Sequence, residues 1–282
     1  MPNFTIIWNN KALLIGIAIA FMLCNIFAGK LKLYDFSLLA ACIIPFLINH
    51  FIYTREKIIL TNKDFFAILL IGILLGSFLS IPSIRFGQKL LPTILVFIYT
   101  ISITRFLSKT RSLFAILFPI MLFLISSYSN AYNSWVHKIE YGNFQGMIKK
   151  PVNMPDIKFL NVKGDILDKS DFVGHYTVLD FWFIGCKDCY LKFPDLEEFY
   201  KVNRKKNVKL FAVNRPRSSD EENEAFEKIE DLGYSFPVLK SDRQSLKNLD
   251  IYVYPTIVII SPEGEIIFKG ELLEAKEIVS GI

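Results

Sequence analysis

The chain has 282 residues, of which 52% are hydrophobic, with a formal net charge of +5 and a mean hydropathy of +0.37. That apolar content is too high for an ordinary soluble protein. The charge is also unevenly placed: residues 1–150 carry fourteen Lys/Arg against four Asp/Glu, a net of +10, while residues 151–282 carry eighteen against twenty-three, a net of −5. The basic balance therefore belongs to the first half and gives no reason to expect nucleic-acid binding.

In chain order, five apolar stretches approach the ~20 residues needed to cross a bilayer: Ala12–Gly29, Phe36–Tyr53, Phe65–Ile84, Leu90–Leu107 and Ser112–Ser129. The first lacks a small-residue cleavage site and is followed by others, so it reads as an uncleaved anchor. Pro45, Pro92 and Pro119 fall inside these stretches, which membrane helices tolerate. Tyr128, Tyr132 and Trp135 suit an interfacial belt after the fifth. Lys11, Arg55, Lys57, Lys63, Arg105, Lys109 and Arg111 fall on the side of the N-terminus. Lys30, Lys32, Arg85, Lys89 and Lys138 fall on the other. Seven against five places the N-terminus inside and the C-terminal half outside the cytoplasm. The expected organisation is a helical membrane domain over residues 1–130, a linker over 131–153 with one short interfacial helix near Trp135, and an α/β domain over 154–282.

In that last region short strands alternate with helices. Ile157–Val162 reads as a strand, Tyr176–Phe183 as a central buried strand, Tyr190–Asn203 as a helix and Val208–Asn214 as a second buried strand. Asp220–Leu232 reads as an acidic helix closed by Gly233, and Arg243–Leu249 as a short helix. Thr256–Ile260 and Glu265–Lys269 read as a hairpin across Pro262-Glu263-Gly264.

The chemistry lies in Asp180-Phe-Trp-Phe-Ile-Gly-Cys186-Lys-Asp-Cys189, where a buried strand runs into two cysteines that open a helix. A sulfur at a helix start faces unsatisfied N–H groups and the positive end of the dipole, which favour thiolate over thiol. A second cysteine three residues on lies one turn away and within reach of a disulfide. Cys186 is then the exposed attacking sulfur, and Cys189 the shielded one that resolves a mixed disulfide. A Cys-Xaa-Xaa-Cys pair is also half of a zinc site. Here no second such pair exists, no His follows His175, and Cys24 and Cys42 fall in apolar stretches. No cofactor beyond the cysteine pair is expected.

Residues 154–270 resemble the TlpA/ResA-type branch of the thioredoxin superfamily. The resemblance rests on Met154-Pro155-Asp156, Lys163-Gly164, Phe172-Val173-Gly174, Asp180-Phe181-Trp182, Cys186-Lys187-Asp188-Cys189, Pro194, Asp242-Arg243-Gln244, Tyr254-Pro255-Thr256 and Ser261-Pro262-Glu263-Gly264. It implies a thioredoxin fold, dithiol–disulfide exchange with protein thiols and disulfides, and reduction as the direction. It also implies a cis-proline at Pro255 that docks the substrate chain, and a buried acid at Asp180 that takes the proton of Cys189. Arg215 to Lys240 matches the helix–strand insertion of this branch. Gly185 stands where the family has Trp or a similar residue, and Tyr254 is a bulky residue before the proline. With Trp182, which also reads as core packing, these residues border the substrate face. A peroxiredoxin would place Thr or Ser three residues and Pro seven residues before a single cysteine; Phe183 and Leu179 occupy those positions.

Two further readings stay open. Cys24 and Cys42 lie at similar depth in the first two spans, either as small packing residues or as a membrane dithiol that passes electrons to Cys186 and Cys189. The expected partners are protein substrates, membrane lipid and a membrane electron donor. The alternatives to a tethered reductase are an electron conduit and a redox-inactive binding module.

Overall fold

The computed structural model describes residues 112–281 other than 145, 147 and 205, together with helical pieces at 39–41, 43, 88–89 and 91–96. The chain divides into two compact units, Met1–Ile139 and Glu140–Ile282.

In the first unit the fifth expected stretch is a helix, α1, Ser112–Ser129, with the expected bounds. Its 18 residues rise about 27 Å at 1.5 Å each, short of a hydrocarbon core ~30 Å thick, and its last turn is Ser126-Ser127-Tyr128-Ser129. Among the described residues no helix is long and apolar enough to cross a membrane. The first four expected spans, with Cys24 and Cys42, lie wholly or mostly outside the described residues. Asn130, at φ +53°, separates α1 from α2, Ala131–Tyr141. This is the short helix expected around Trp135, whose indole N–H donates to the Gln88 carbonyl at 3.0 Å.

The second unit is built on an eight-stranded sheet in the order β1-β8-β7-β4-β5-β6-β2-β3. The strands are β1 Val152–Asn153, β2 Lys158–Leu160, β3 Ile166–Asp168, β4 Tyr176–Trp182, β5 Val208–Asn214, β6 Val238–Ser241, β7 Thr256–Ile260 and β8 Glu265–Gly270. Strands β4, β5 and β6 run parallel, β7 is antiparallel to β4, and β8 is antiparallel to β7. The helices are α3 Lys187–Asn203, α4 Glu224–Asp231, α5 Arg243–Asn248 and α6 Leu272–Ser280. This is a thioredoxin fold in the C-terminal half.

Strands β4 and β7 are almost wholly apolar because both of their faces are covered. Val178 and Trp182 face one core with Cys189, Phe193, Leu196 and Ala275; Leu179 and Phe181 face the other with Phe159, Phe172, Leu246 and Leu249. Side chains alternate along a strand, so Asp180 shares the face of Val178 and Trp182, the face on which α3 packs. The strand places one ionisable group beneath that helix.

Several elements depart from expectation. Helix α3 starts at Lys187 rather than Tyr190, because Cys186 itself caps it. Helix α4 starts at Glu224 rather than Asp220, since Asp220 is committed to a local turn, accepting from the backbone N–H and Nε of Arg217 at 2.9 Å each. Such side-chain bonds compete with helix formation. Strands β1, β3 and β6 and helix α6 have no counterpart among the expected elements. The three strands are only two to four residues long, and β1 and β6 pair with strands distant in sequence, so periodicity over so few residues carries little signal.

Candidate functional site

The site forms where the C-terminal ends of β4 and β5 meet the start of β7. Phe181 of β4 pairs with Thr256 of β7, and Trp182 pairs with Asn214 of β5. The residues after Trp182, those after Asn214 and those before Thr256 therefore emerge together. They are the loop Phe183–Cys186, the segment Arg215–Asp220, and Tyr254-Pro255, whose peptide bond is cis.

Cys186 is the N-cap of α3, with extended backbone (φ −76°, ψ 92°), and its Sγ accepts the backbone N–H of Cys189 at 3.2 Å. Its carbonyl accepts from Cys189 and Tyr190 at 3.1 and 3.2 Å. Cys186 and Cys189 are joined in a disulfide. An N-cap acceptor satisfies one of the four N–H groups that a helix start leaves unpaired. The same N–H is in place for a thiolate on Cys186 once the bond is opened. Cys186 is not the exposed sulfur expected from the sequence. It is 5% exposed against 1% for Cys189, because both pack into the core that holds Trp182 and Phe193. The difference has the expected sign, but only a small part of the residue reaches the surface in this oxidised form.

Asp180 is 5% exposed and flanked along the sheet by Ala212 and Ile257. Burial pushes its carboxyl up to about 7, with the charge of Lys192 on α3 acting in the opposite direction. A group with that value exchanges its proton near neutral pH, which suits a local proton acceptor.

The residues expected to border the substrate face separate into two groups. Gly185 is exposed and Tyr254 half-buried, both at the rim. Trp182 is a correction: it is fully buried and packs edge-on against Phe193 at 5.3 Å and Tyr190 at 6.1 Å. Its strand parity points it under α3, where it supports the cysteine helix and is closed to substrate. Pro194 stands inside α3, five residues after Cys189, where it removes the N–H that would have bonded the Tyr190 carbonyl.

Phe183, Arg215 and Arg217 are rim residues that the sequence reading did not single out. The Phe183 ring meets that of Tyr254 edge to face at 5.3 Å, and both arginines lie against it. Topology was the available signal. Parallel β4 and β5 end side by side, so a residue following Asn214 must border the loop that follows Trp182, at the strand ends where α/β sheets collect ligands.

Residues 152–269 match the model of the AhpC/TSA family. The C-terminal half is a redoxin domain of this family. The redoxin domain is 30% identical over 121 residues to thiol-disulfide oxidoreductase ResA of Bacillus subtilis (strain 168), a match covering 43% of this chain and 66% of that protein. It is 32% identical over 116 residues to the ResA protein of Geobacillus kaustophilus (strain HTA426), covering 40% of this chain and 63% of the relative. Less than two thirds of either relative is thus spanned. Among solved structures it is similar to StoA from Bacillus subtilis, at 24% identity and a TM-score of 0.38, over 46% of this chain and 99% of that one. It is also similar to the thioredoxin domain of a thiol-disulfide oxidoreductase from Bacteroides vulgatus, at 24% identity and a TM-score of 0.43, over 48% and 97%. No family model among these matches covers the first 151 residues.

Proposed function

We propose that the chain is a membrane-anchored thiol–disulfide oxidoreductase that reduces protein disulfides outside the cytoplasm through Cys186 and Cys189. The observation that carries this reading is the position of the Cys186 sulfur. It sits at the cap of a 17-residue helix, accepts a backbone N–H, and is bonded to a partner one turn away, with a buried carboxyl on the same face of the sheet.

In the reduced form the Cys186 thiolate attacks one sulfur of a substrate disulfide. A mixed disulfide forms, and the other substrate sulfur leaves as a thiolate. Cys189 passes its proton to Asp180 and attacks the Cys186 sulfur, which closes the 186–189 disulfide and releases the second substrate thiolate. The substrate has then gained two electrons and takes up two protons, and the domain has lost two electrons. A dithiol donor must return them before the next cycle; Cys24 and Cys42 are the thiols of this chain that would be tested first for that role. An i,i+3 cysteine pair closes too short a loop to stabilise the fold much, so a purely structural disulfide has little to do at this place.

Membrane anchoring is supported by the apolar stretches of residues 12–129 and by α1. Leu117, Met121, Leu124 and Ile125 of α1, spaced along one face, are each 49–59% exposed, an arrangement that lipid satisfies and water penalises.

The test is capture in cells. Cys189→Ser should hold substrates as mixed disulfides on Cys186, released by reductant and absent from the Cys186→Ser, Cys189→Ser double variant. A pair that is never found reduced in cells and a single variant that captures nothing would refute the assignment.

A further inference from the structure

The steps above leave the two arginines at the rim without a task. Arg215 and Arg217 follow directly on β5, and the guanidinium carbon of each lies 5.7 Å from the centre of the Phe183 ring. Arg215 also covers the Tyr254 ring at 5.5 Å. Two cations therefore lie over an aromatic pair whose members adjoin the cysteine loop and cis-Pro255. The ring quadrupole attracts a guanidinium held in this way, and each guanidinium has more N–H groups than its bond to Tyr254 or Asp220 uses, so donors remain for a ligand.

Gly185 admits the second arginine. A Cβ built on Gly185 would stand 3.3 Å from Arg217 Nη1 and 3.8 Å from Nη2. A side chain at this position, immediately before Cys186, would crowd the guanidinium and force it to shift. Asp220 supplies the anchor on the other side. Its carboxylate, 4% exposed, takes Arg217 Nε at 2.9 Å and the Arg217 backbone N–H at 2.9 Å. With Nε committed to Asp220, the two terminal nitrogens are directed at Gly185 and the cysteine loop. Arg215 is exposed, and among the described residues no carboxylate pairs with it.

We propose that Arg215 and Arg217 are the specificity-determining residues of this oxidoreductase, docking an acidic side chain that flanks the substrate's disulfide. This rests on reading Cys186 and Cys189 as the redox centre. The recognition is short-range. The soluble half has a net charge of −5, and Asp188, Asp220 and Glu224 offset Lys187 and the two arginines around the site. An acidic segment is therefore not drawn in by the domain's field. It is held by direct hydrogen bonding to the guanidinium edges, where a charge-assisted bond is strongest.

The experiment uses the full chain in detergent micelles, reduced and freed of excess reductant. It is mixed with cyclic peptides that carry one internal disulfide and differ only in the flanking residue, Glu, Gln or Lys. Single-turnover rates are read by acid quench and thiol alkylation. The wild type should reduce the Glu peptide about tenfold faster than the Lys peptide at low salt, equivalent to about 1.4 kcal/mol, with Gln between them. The ratio should narrow at about 0.5 M salt. Arg215→Gln, which breaks no ion pair, should cut the Glu/Lys ratio to about threefold. Arg217→Gln should do the same, and Arg217→Lys should keep part of the preference because it keeps the charge. Equal wild-type rates on the three peptides, or an unchanged ratio in Arg215→Gln and Arg217→Gln, would overturn the specificity role while leaving the reductase reading intact. Reduction of none of the peptides by the wild type would overturn both.

Discussion

Relative to wild type, the Asp180→Asn protein in its oxidised form should gain stability as pH rises from about 4 to about 8. In the folded chain the Asp180 carboxyl titrates at about 7, against an ordinary value of 3.8. Between those values the folded state holds a proton that the unfolded state has lost. Unfolding then releases a proton, and stability falls as pH climbs through this window, becoming flat above it. At about 1.4 kcal/mol per unit of difference, the full penalty on the charged form is about 4 kcal/mol. Asn has nearly the same shape and no such penalty. The difference in stability between Asp180→Asn and wild type should therefore grow from near its acid value below about pH 4 to about 4 kcal/mol more favourable above about pH 7. The pH-independent effect of burying an amide shifts the whole difference curve and leaves its slope alone. His175, which burial holds below the ordinary value, titrates in both proteins and drops out of the comparison. The assay is urea unfolding of the full chain in one detergent at several pH values, with the disulfide intact. Lys192→Met offers a second check: it removes a charge that opposes the shift, so it should carry the wild-type decline to higher pH. Parallel stability curves for Asp180→Asn and wild type would show that this carboxyl is already ionised at neutral pH in the fold, and the proton-acceptor role would fall with it.

Two other substitutions examine the surroundings of the site. Gly185 has φ +88°, so Gly185→Ala should cost about 1–2 kcal/mol in urea unfolding; it should also weaken the preference for Glu-flanked peptides by displacing Arg217. A stable Gly185→Ala protein with unchanged preference would contradict the close approach. Within α3, burial pushes the Glu197 carboxyl up, but the Ser235 hydroxyl (2.5 Å), the Ser235 backbone N–H (2.8 Å) and Lys201 (3.0 Å) outweigh it and hold the group below the usual range. That stability is present above the ordinary carboxylate value and is lost as pH falls through the lowered one. Ser235→Ala should therefore cost about 1–2 kcal/mol at neutral pH and less near pH 3, as measured by unfolding midpoints; an equal cost at both would assign the loss to packing.

Local pattern was enough for much of this protein. The largely apolar runs of β4, β5 and β7 read as buried strands, and Val208–Asn214 and Thr256–Ile260 have the bounds that the pattern indicates. The Cys-Xaa-Xaa-Cys spacing after a buried strand was legible because the chemistry is local: a helix start, a sulfur, and a second sulfur one turn on. Ser112–Ser129 was legible as a helix for the same reason, since an apolar run of that length has few alternatives.

Other features depend on contacts between segments far apart in the chain, which no window of sequence contains. Trp182 reads in the sequence first as core packing and second as a rim residue, and the packing of α3 over β4 decides it by closing the ring from solvent. Asp180 is an ordinary acid in the sequence; only burial between Ala212 and Ile257 raises its carboxyl toward neutrality. Arg215 and Arg217 lie about thirty positions from Cys186 in sequence and reach the same rim because β4 and β5 are parallel neighbours that end together. The sequence by itself determined which residues carry the sulfur chemistry and the apolar layers, because those follow from local spacing. Only the tertiary structure decided which charges and rings surround the sulfurs, because strand pairing, and not proximity along the chain, sets what a buried group meets.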